Sequence, residues 1–464
     1  MATFESQLLD RDVERAEIET AWRRARKGTP QLAVVWGRRR VGKTFLLASL
    51  ARSRRSVFFG ATEQSEGVEL GRFAEALREG LGDRAKDLVG GAFGSWEAAL
   101  RAVAALARDE PLMVVLDEVP YLARSTPGFA SIVQFVWDHI APGTRLLLVL
   151  TGSAVSVIEE MLGADGPLRG RPTLSRRIDP LDPVAARAFL PGMTSAAFFE
   201  AYAACGGYPL HLRAWEPRAS FAANITRLAL SPGGLLLADA ASLLSEELAD
   251  APGYARILAA VGRGRTRFGE IANDAGQRVE FAIDVLVRAG LLRRALPVGA
   301  PKGARPNYEI ADPYLAFWFS CLYARQTEID SGQSAAVLER ITPQWQRHVG
   351  WVFEEAARSH AARLVARGEL PRGLVIGRWW ATRGQQAEVD VLGLQGARTA
   401  LIGEARWQAG ALGLRDVGRL QAMLAIVPDA IDRPVIALWG RTGIASEARR
   451  AGAVGWSLRE MLAE

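Results

Sequence analysis

GRRRVGKT, Gly37 to Thr44, decides how this chain is read. It matches G-x-x-x-x-G-K-[ST] in the required context, after the apolar run QLAVVW and at the opening of VGKTFLLASLARS, which has helical spacing. A strand that runs into a glycine-bearing turn and then a helix converges backbone N–H groups on one point, where the helix N-terminus adds positive potential. Phosphate oxygens suit such a point. In this reading Gly37 and Gly42 let the backbone curl and Arg38, Arg39, Arg40 and Val41 form the turn between them. Lys43, on a loop expected to be exposed, reaches the outer phosphates, and Thr44 ligates Mg2+. Lys43 is one of four lysines among 57 basic residues. A chain that writes nearly every cation as arginine and keeps lysine here points to a need for a compact ammonium.

Two further stretches bear on the same site. LMVVLDE, Leu112 to Glu118, puts two acids at the carboxyl end of a buried strand, where open α/β sheets bind ligands. Asp117 is expected in the Mg2+ shell and Glu118 as the group that polarises the attacking water, a pairing that favours hydrolysis over binding alone. LTGSAVSV then offers Thr151 and Ser153 as sensors of the terminal phosphate, although Ser153 reads equally well as a helix N-cap. No guanine-reading Asn-Lys-x-Asp run occurs, so ATP is the expected nucleotide. The runs QLAVVWG, SVFFGAT, PLMVVLDE and RLLLVLTGS do not alternate, as expected for parallel strands covered on both faces. The fold class is therefore α/β, a doubly wound parallel sheet over residues 1–177.

Beyond it the β signal fades. Residues 178–250 read as a helical lid containing CGGYPLHL. Residues 251–330 read as three short helices and a hairpin, the layout of a winged helix. Ser331–Ala336 is expected to be a linker before a third unit, residues 337–464, which opens with a helix at TPQWQRHVGW and continues through the strand candidates LVIGRWW, AEVDVLGL, TALIGEARW and PVIALWG. At about 150 residues per domain the length agrees with several domains.

GRRRVGKT, VVLDEVPYL, VLTGSAVSVIEEML, GPLRGRPT and CGGYPLHL together resemble the archaeal-type P-loop ATPases, a AAA+-related group close to the STAND signalling ATPases. The similarity runs on through YEIADPYLAFWF, RHVGWVFEE and EVDVLGL, and so covers nearly the whole chain. It implies that Arg11 and Asp12 lie beside the base, that Gly207 and Pro209 contact the nucleotide from the lid, and that Arg171 is a phosphate sensor. Pro209 also reads as an ordinary first residue of a helix.

The net charge is +6, and residues 251–306 alone hold ten cations against four acids. Arg263, Arg265 and Arg267 fall on helix openings, Arg278 and Arg288 on the presumptive recognition helix, and Arg293, Arg294, Lys302 and Arg305 on the wing. These surfaces meet phosphates in winged helices, so DNA is an expected partner through its backbone, the competing reading being a packing module with a solvated basic face. In the third unit Glu354, Asp390, Glu404 and Arg406 form a helical acid, a strand acid and an acid-x-cation pair. That pattern is similar to the PD-(D/E)XK nuclease fold, restriction-endonuclease-like, in which carboxylates bind Mg2+ and a lysine orients water. Here the lysine is replaced by Arg406 and no proline precedes the aspartate.

Composition narrows the rest. No apolar run approaches the about 20 residues of a membrane-spanning helix, the acids in MATFESQLLDRDVERAE argue against a signal peptide, and Cys205 and Cys321 cannot build a disulfide framework or a cysteine zinc site. The expectation is a cytoplasmic, Mg2+-dependent ATPase that couples nucleotide state to a DNA-binding winged helix and a nuclease-like domain, with an unknown protein partner or a homo-oligomer open. The alternative is a STAND-type regulatory switch whose C-terminal domain binds without cutting.

Overall fold

The run QLAVVW forms β1 (Gln31–Trp36), and the turn after it feeds a helix, so the strand, loop and helix expected from the sequence are present. The computed structural model describes residues 11–82, 85, 90–247, 251–276, 279–381 and 387–463, and it divides after Pro180 into two units. In chain order the first unit holds α1 (Asp12–Arg26), β1, α2 (Lys43–Ala51), β2 (Ser56–Gly60), α3 (Glu66–Leu81), α4 (Trp96–Leu106) and β3 (Leu112–Asp117). It continues with α5 (Val119–Ser125), α6 (Phe129–His139), β4 (Leu146–Gly152), α7 (Val155–Leu162) and β5 (Leu174–Arg177). The five strands form one parallel sheet in the order β2-β3-β4-β1-β5. Strands β3 and β4 are buried along their whole length, which is why their sequences are continuous apolar runs. Helix α4 anchors one face through Trp96, whose ring lies 5.3 Å from Phe73 and 5.4 Å from Phe129. Because β4 lies between β3 and β1, the carboxyl ends of these three strands are neighbours, and the functional loops leave from that edge.

The second unit begins with short helices, α8 (Pro183–Ala186), α9 (Ser195–Cys205), α10 (Pro209–Ala214), α11 (Phe221–Ala229) and α12 (Leu235–Glu247). Helices α13 (Ala251–Gly262), α14 (Phe268–Ala275) and α15 (Glu280–Arg288) precede the antiparallel pair β6 (Leu292–Ala295) and β7 (Asn307–Ile310), giving the three helices and hairpin read from the sequence. After α16 (Pro313–Phe317), a π-helical turn at Trp318–Leu322 and α17 (Gln326–Asp330) comes α18 (Ser334–Arg367), 34 residues long.

Helix α18 corrects the expected linker. It begins at Ser334 and passes through Pro343, because Val337, Ile341, Trp345 and Val349 form one buried stripe at helical spacing on both sides of the proline. The apolar face outweighs the backbone hydrogen bond that Pro343 cannot make. The final elements are β8 (Val375–Trp380), β9 (Glu388–Gln395), β10 (Arg398–Arg406), α19 (Leu414–Met423), β11 (Ala430–Gly440), α20 (Ser446–Arg450), β12 (Val454–Ser457) and α21 (Leu458–Met461). Their sheet is mixed, ordered β12-β11-β10-β9-β8, with the first three strands in sequence antiparallel and the last two added in parallel.

The loop between β6 and β7 does not stand clear of this sheet. The Val298 N–H donates to the Arg378 carbonyl on β8 at 2.9 Å, and Gly377 lacks the Cβ that would lie 2.8 Å from the Val298 side chain. Among the described residues no helix is long and apolar enough to cross a membrane.

Candidate functional site

The loop after β1 is shaped by backbone positions few residues accept. Gly37 has φ 149°, and a Cβ there would meet the Ile178 carbonyl at 2.1 Å. Arg40, at φ 65°, and Gly42, at φ 99°, both lie in the left-handed region, so one non-glycine residue carries strain to close the turn. Gly42 caps α2, leaving the first N–H groups of that helix aimed at the loop. Arg38 is buried, Val41 is fully buried, and Arg39 Nη2 donates to the Tyr121 hydroxyl at 2.6 Å.

Lys43 differs from the exposed position expected of it: it is 4% exposed. Its Nζ donates to the carbonyls of Gly37 at 2.6 Å and Arg38 at 2.9 Å, so the loop closes around its own ammonium. One residue on, Thr44 Oγ1 donates to Asp117 Oδ2 at 2.7 Å, joining the loop to the end of β3. Burial raises the Asp117 pKa above the ordinary aspartate value, partly offset by the Thr44 hydrogen bond and the Lys43 charge.

Glu118 has φ 58°, a left-handed conformation that turns its side chain toward the end of β4. There its Oε2 accepts hydrogen bonds from the Ser153 N–H at 3.0 Å and the Ser153 hydroxyl at 2.8 Å. Ser153 is therefore not an N-cap; Ala154 occupies that position in α7. Both donors hold one carboxylate oxygen and leave the other available. Thr151 is fully buried, and its hydroxyl finds no hydrogen-bond partner among the described residues, an orphan polar group at the strand end where a ligand is expected. A threonine hydroxyl, a carboxylate and a buried ammonium beside a helix N-terminus fit a nucleotide phosphate chain with Mg2+.

The flanking assignments divide. Arg11 reaches the loop, donating to the Val41 carbonyl at 3.1 Å and the Asp179 carbonyl at 2.7 Å, whereas the Asp12 side chain is 80% exposed and pairs with Arg15. Arg171 corrects the sensor reading. It forks onto Asp138 at 2.8–3.0 Å, just before Thr173 meets Leu32 at the amino end of β1, the wrong end of the sheet for a phosphate. Gly207 and Pro209 belong to the second unit. Gly207 has no room for a Cβ against the Leu181 carbonyl, and Pro209 is the first residue of α10, where its missing N–H does no harm.

Among the described residues, four of the cations of residues 251–306 are paired with acids. Arg263 and Arg265 pair with Asp274, and Arg294 pairs with Asp284. On β6, Arg293 bridges Glu309 at 2.7 Å and Glu355 of α18 at 2.6 Å, with its guanidinium over the Trp351 ring. This overturns the reading of Arg293 as a phosphate-facing residue: it ties the hairpin to the C-terminal domain. Arg278 lies outside the described residues; Arg267, Arg288, Lys302 and Arg305 are exposed.

Burial works against charge on Glu355, but Arg293 and Arg358 hold its pKa down to about 2. A depressed carboxylate contributes stability above its unfolded value, and that contribution fades as the pH falls toward 2. Arg293→Ala is expected to destabilise the second unit by about 1–3 kcal/mol near neutral pH, with the deficit shrinking in acid. Thermal melts of both proteins between pH 7 and pH 3 check this, and an unchanged melting temperature at pH 7 would refute it.

The C-terminal acids meet in part. The register that pairs Gly403 with Val391 carries on to bring Glu404 opposite Asp390, and the Asp390 carboxylate accepts the Ala405 N–H at 3.0 Å. Burial, and then the Asp390 charge, push Glu354 up to about 8. Glu404 is taken up, however: Arg406 Nε lies 2.8 Å from its Oε1, and Arg419 of α19 pairs with the same oxygen. Arg406 also reaches Asp416 at 3.4 Å. Among the described residues no three His, Cys, Asp or Glu side chains group to hold a metal ion. Glu404 is thus engaged by two arginines rather than standing open beside Asp390. Arg419 escaped the sequence reading because its helix, LRDVGRLQAM, carries a central glycine and its partner Glu404 lies on a separate strand.

Comparison with known proteins agrees with the first-unit geometry. A family described as an ATPase domain predominantly from Archaea matches residues 8–214, and one described as archaeal and bacterial proteins of unknown function matches residues 318–417. An uncharacterized protein of Methanocaldococcus jannaschii is 26% identical over 385 residues, 82% of this chain and 83% of that protein. A Walker-type ATPase of Pyrococcus abyssi superposes with a TM-score of 0.52 at 19% identity, over 68% of this chain and 97% of its own, a likeness of fold. The chain thus carries an archaeal-type ATPase domain with a five-stranded parallel sheet, followed by a C-terminal domain shared with archaeal and bacterial proteins of unknown function.

Proposed function

We infer that this protein hydrolyses ATP in a Mg2+-dependent reaction at the loop Gly37–Thr44. The observation that carries this reading is the hydrogen bond of 2.7 Å from Thr44 to Asp117, beside a buried Lys43 and a Glu118 fixed by Ser153. Thr44 and Asp117 would hold Mg2+. When bound, the ion offsets charge on the β- and γ-phosphates. Lys43, now on two loop carbonyls, would exchange them for phosphate oxygens. Glu118 would accept a hydrogen bond from the attacking water through the oxygen that Ser153 leaves open, and Thr151 would sense the terminal phosphate. Arg11 is read as a nucleotide-side residue, as is Pro209 by resemblance. Phosphate release from ATP by the full chain, present with Mg2+ and lost on chelation, tests the assignment; equal release in both conditions would discard it.

The C-terminal domain is read as a binding module, because Arg406 and Arg419 neutralise Glu404 where a nuclease would need it for metal. No Mg2+- or Mn2+-dependent cleavage of plasmid DNA is expected from the wild type. Cleavage that disappears in Asp390→Ala would reinstate the nuclease reading. DNA remains the proposed partner of the three-helix segment through Arg267, Arg288, Lys302 and Arg305, with steeply salt-dependent affinity.

A further inference from the structure

A cavity of about 690 Å3 lies wholly within residues 261–378, lined by the winged helix, the π-helical turn and α18. Its volume is that of a small-molecule site, about 300–1,000 Å3. Five arginines line it against a single acid, Glu309. Arg263 and Arg265 are paired with Asp274, and Arg378 with Glu309 and Glu388. Arg325 and Arg347 have no carboxylate partner among the described residues; Arg325 donates to the Cys321 carbonyl at 3.1 Å.

The walls add aromatic surface and an unmet hydrogen bond. Tyr308, Phe319 and Trp351 line the cavity, and the Gln344 side-chain oxygen is buried with no hydrogen-bond partner among the described residues. His348 supplies no charge, since burial lowers its pKa to about 4 and its Nε2 is engaged by the Ala203 carbonyl at 2.8 Å. Gln344, Arg347, His348 and Trp351 come from one stripe of α18 at helical spacing. Two cations without acids attract phosphate, a ring wall receives a flat heterocycle, and a buried acceptor seeks an N–H at its edge.

We propose that this cavity binds a nucleoside monophosphate or a similarly small phosphorylated ring compound. The phosphate sits between Arg325 and Arg347, the ring against Trp351, and an exocyclic N–H on Gln344. The proposal is independent of the ATPase reading, since no residue of Gly37–Thr44 contributes.

Photolabelling of the full chain with 8-azido-AMP, followed by identification of the labelled peptides by mass spectrometry, tests it. Label is expected on peptides containing Tyr308 or Trp351, falling about tenfold or more in the Arg325→Glu, Arg347→Glu double variant. Arg347→Glu alone changes an exposed side chain and is expected to lower the label severalfold, which covers the case in which the double variant fails to fold. Label confined to residues 37–44, or undiminished label at Tyr308 and Trp351 in the folded variants, overturns the proposal. So does label at Tyr308 and Trp351 that a single-stranded dT oligonucleotide abolishes and excess AMP does not, a result that assigns the cavity to nucleic acid.

Discussion

Lys43→Ala is expected to lower ATP turnover by about 10^2–10^3-fold, the scale seen when one preorganised donor to a developing charge is removed. The ammonium is 4% exposed and bonded to two loop carbonyls, so it is already held at the point where phosphate oxygens would converge. Alanine removes the cation and leaves the carbonyls of Gly37 and Arg38 without that donor. Some loss of stability follows, of about 1–2 kcal/mol, because these groups are buried with the loop. Lys43→Arg is not expected to rescue turnover, since a planar fork on a longer stem does not fit a pocket closed around a compact ammonium. Phosphate release measured for both variants beside thermal melts separates the chemical effect from the structural one. Wild-type turnover in Lys43→Arg would show that the loop does not bind phosphate in this way.

Much of the first unit was legible because its signals are local. A strand, a glycine turn and a helix follow one another within Gln31–Ala51, and an acidic pair ends the next buried run, so short-range pattern was enough to bring Lys43, Thr44, Asp117 and Glu118 together. What the sequence could not show is which donor holds which acceptor. Ser153 read equally as a cap and as a site residue, and only its two hydrogen bonds to Glu118 decide between them. Charges were read least well. Arg171 and Arg293 each looked available to a ligand, yet each pairs with carboxylates distant in sequence, Arg171 with Asp138 and Arg293 with Glu309 and Glu355. Long-range ion pairs leave no periodic trace. The long helix α18 misled for the opposite reason, since Pro343 is a strong local stop signal that the buried stripe on both sides overrides.

Glu118→Gln is expected to reduce hydrolysis by about 10^2–10^4-fold while leaving nucleotide affinity near the wild-type value. Glutamine keeps the size of the side chain and an oxygen to accept from Ser153, so the strained φ of 58° and the approach of β3 to β4 should persist. What it removes is a carboxylate oxygen able to polarise water. The binding machinery, Lys43 and Thr44 with Asp117, is untouched. A variant that binds ATP and does not turn it over would therefore separate hydrolysis from binding, the point on which the hydrolytic cycle and the regulatory switch differ.

The most direct measurement is steady-state release of inorganic phosphate from ATP with Mg2+ by the purified full chain, run beside Glu118→Gln with bound nucleotide quantified in both. Turnover in the wild type, its loss in the variant and retained ATP in that variant are the expected result. Bound ATP with no phosphate release from the wild type, or undiminished release from Glu118→Gln, would contradict the assignment of hydrolysis to this site.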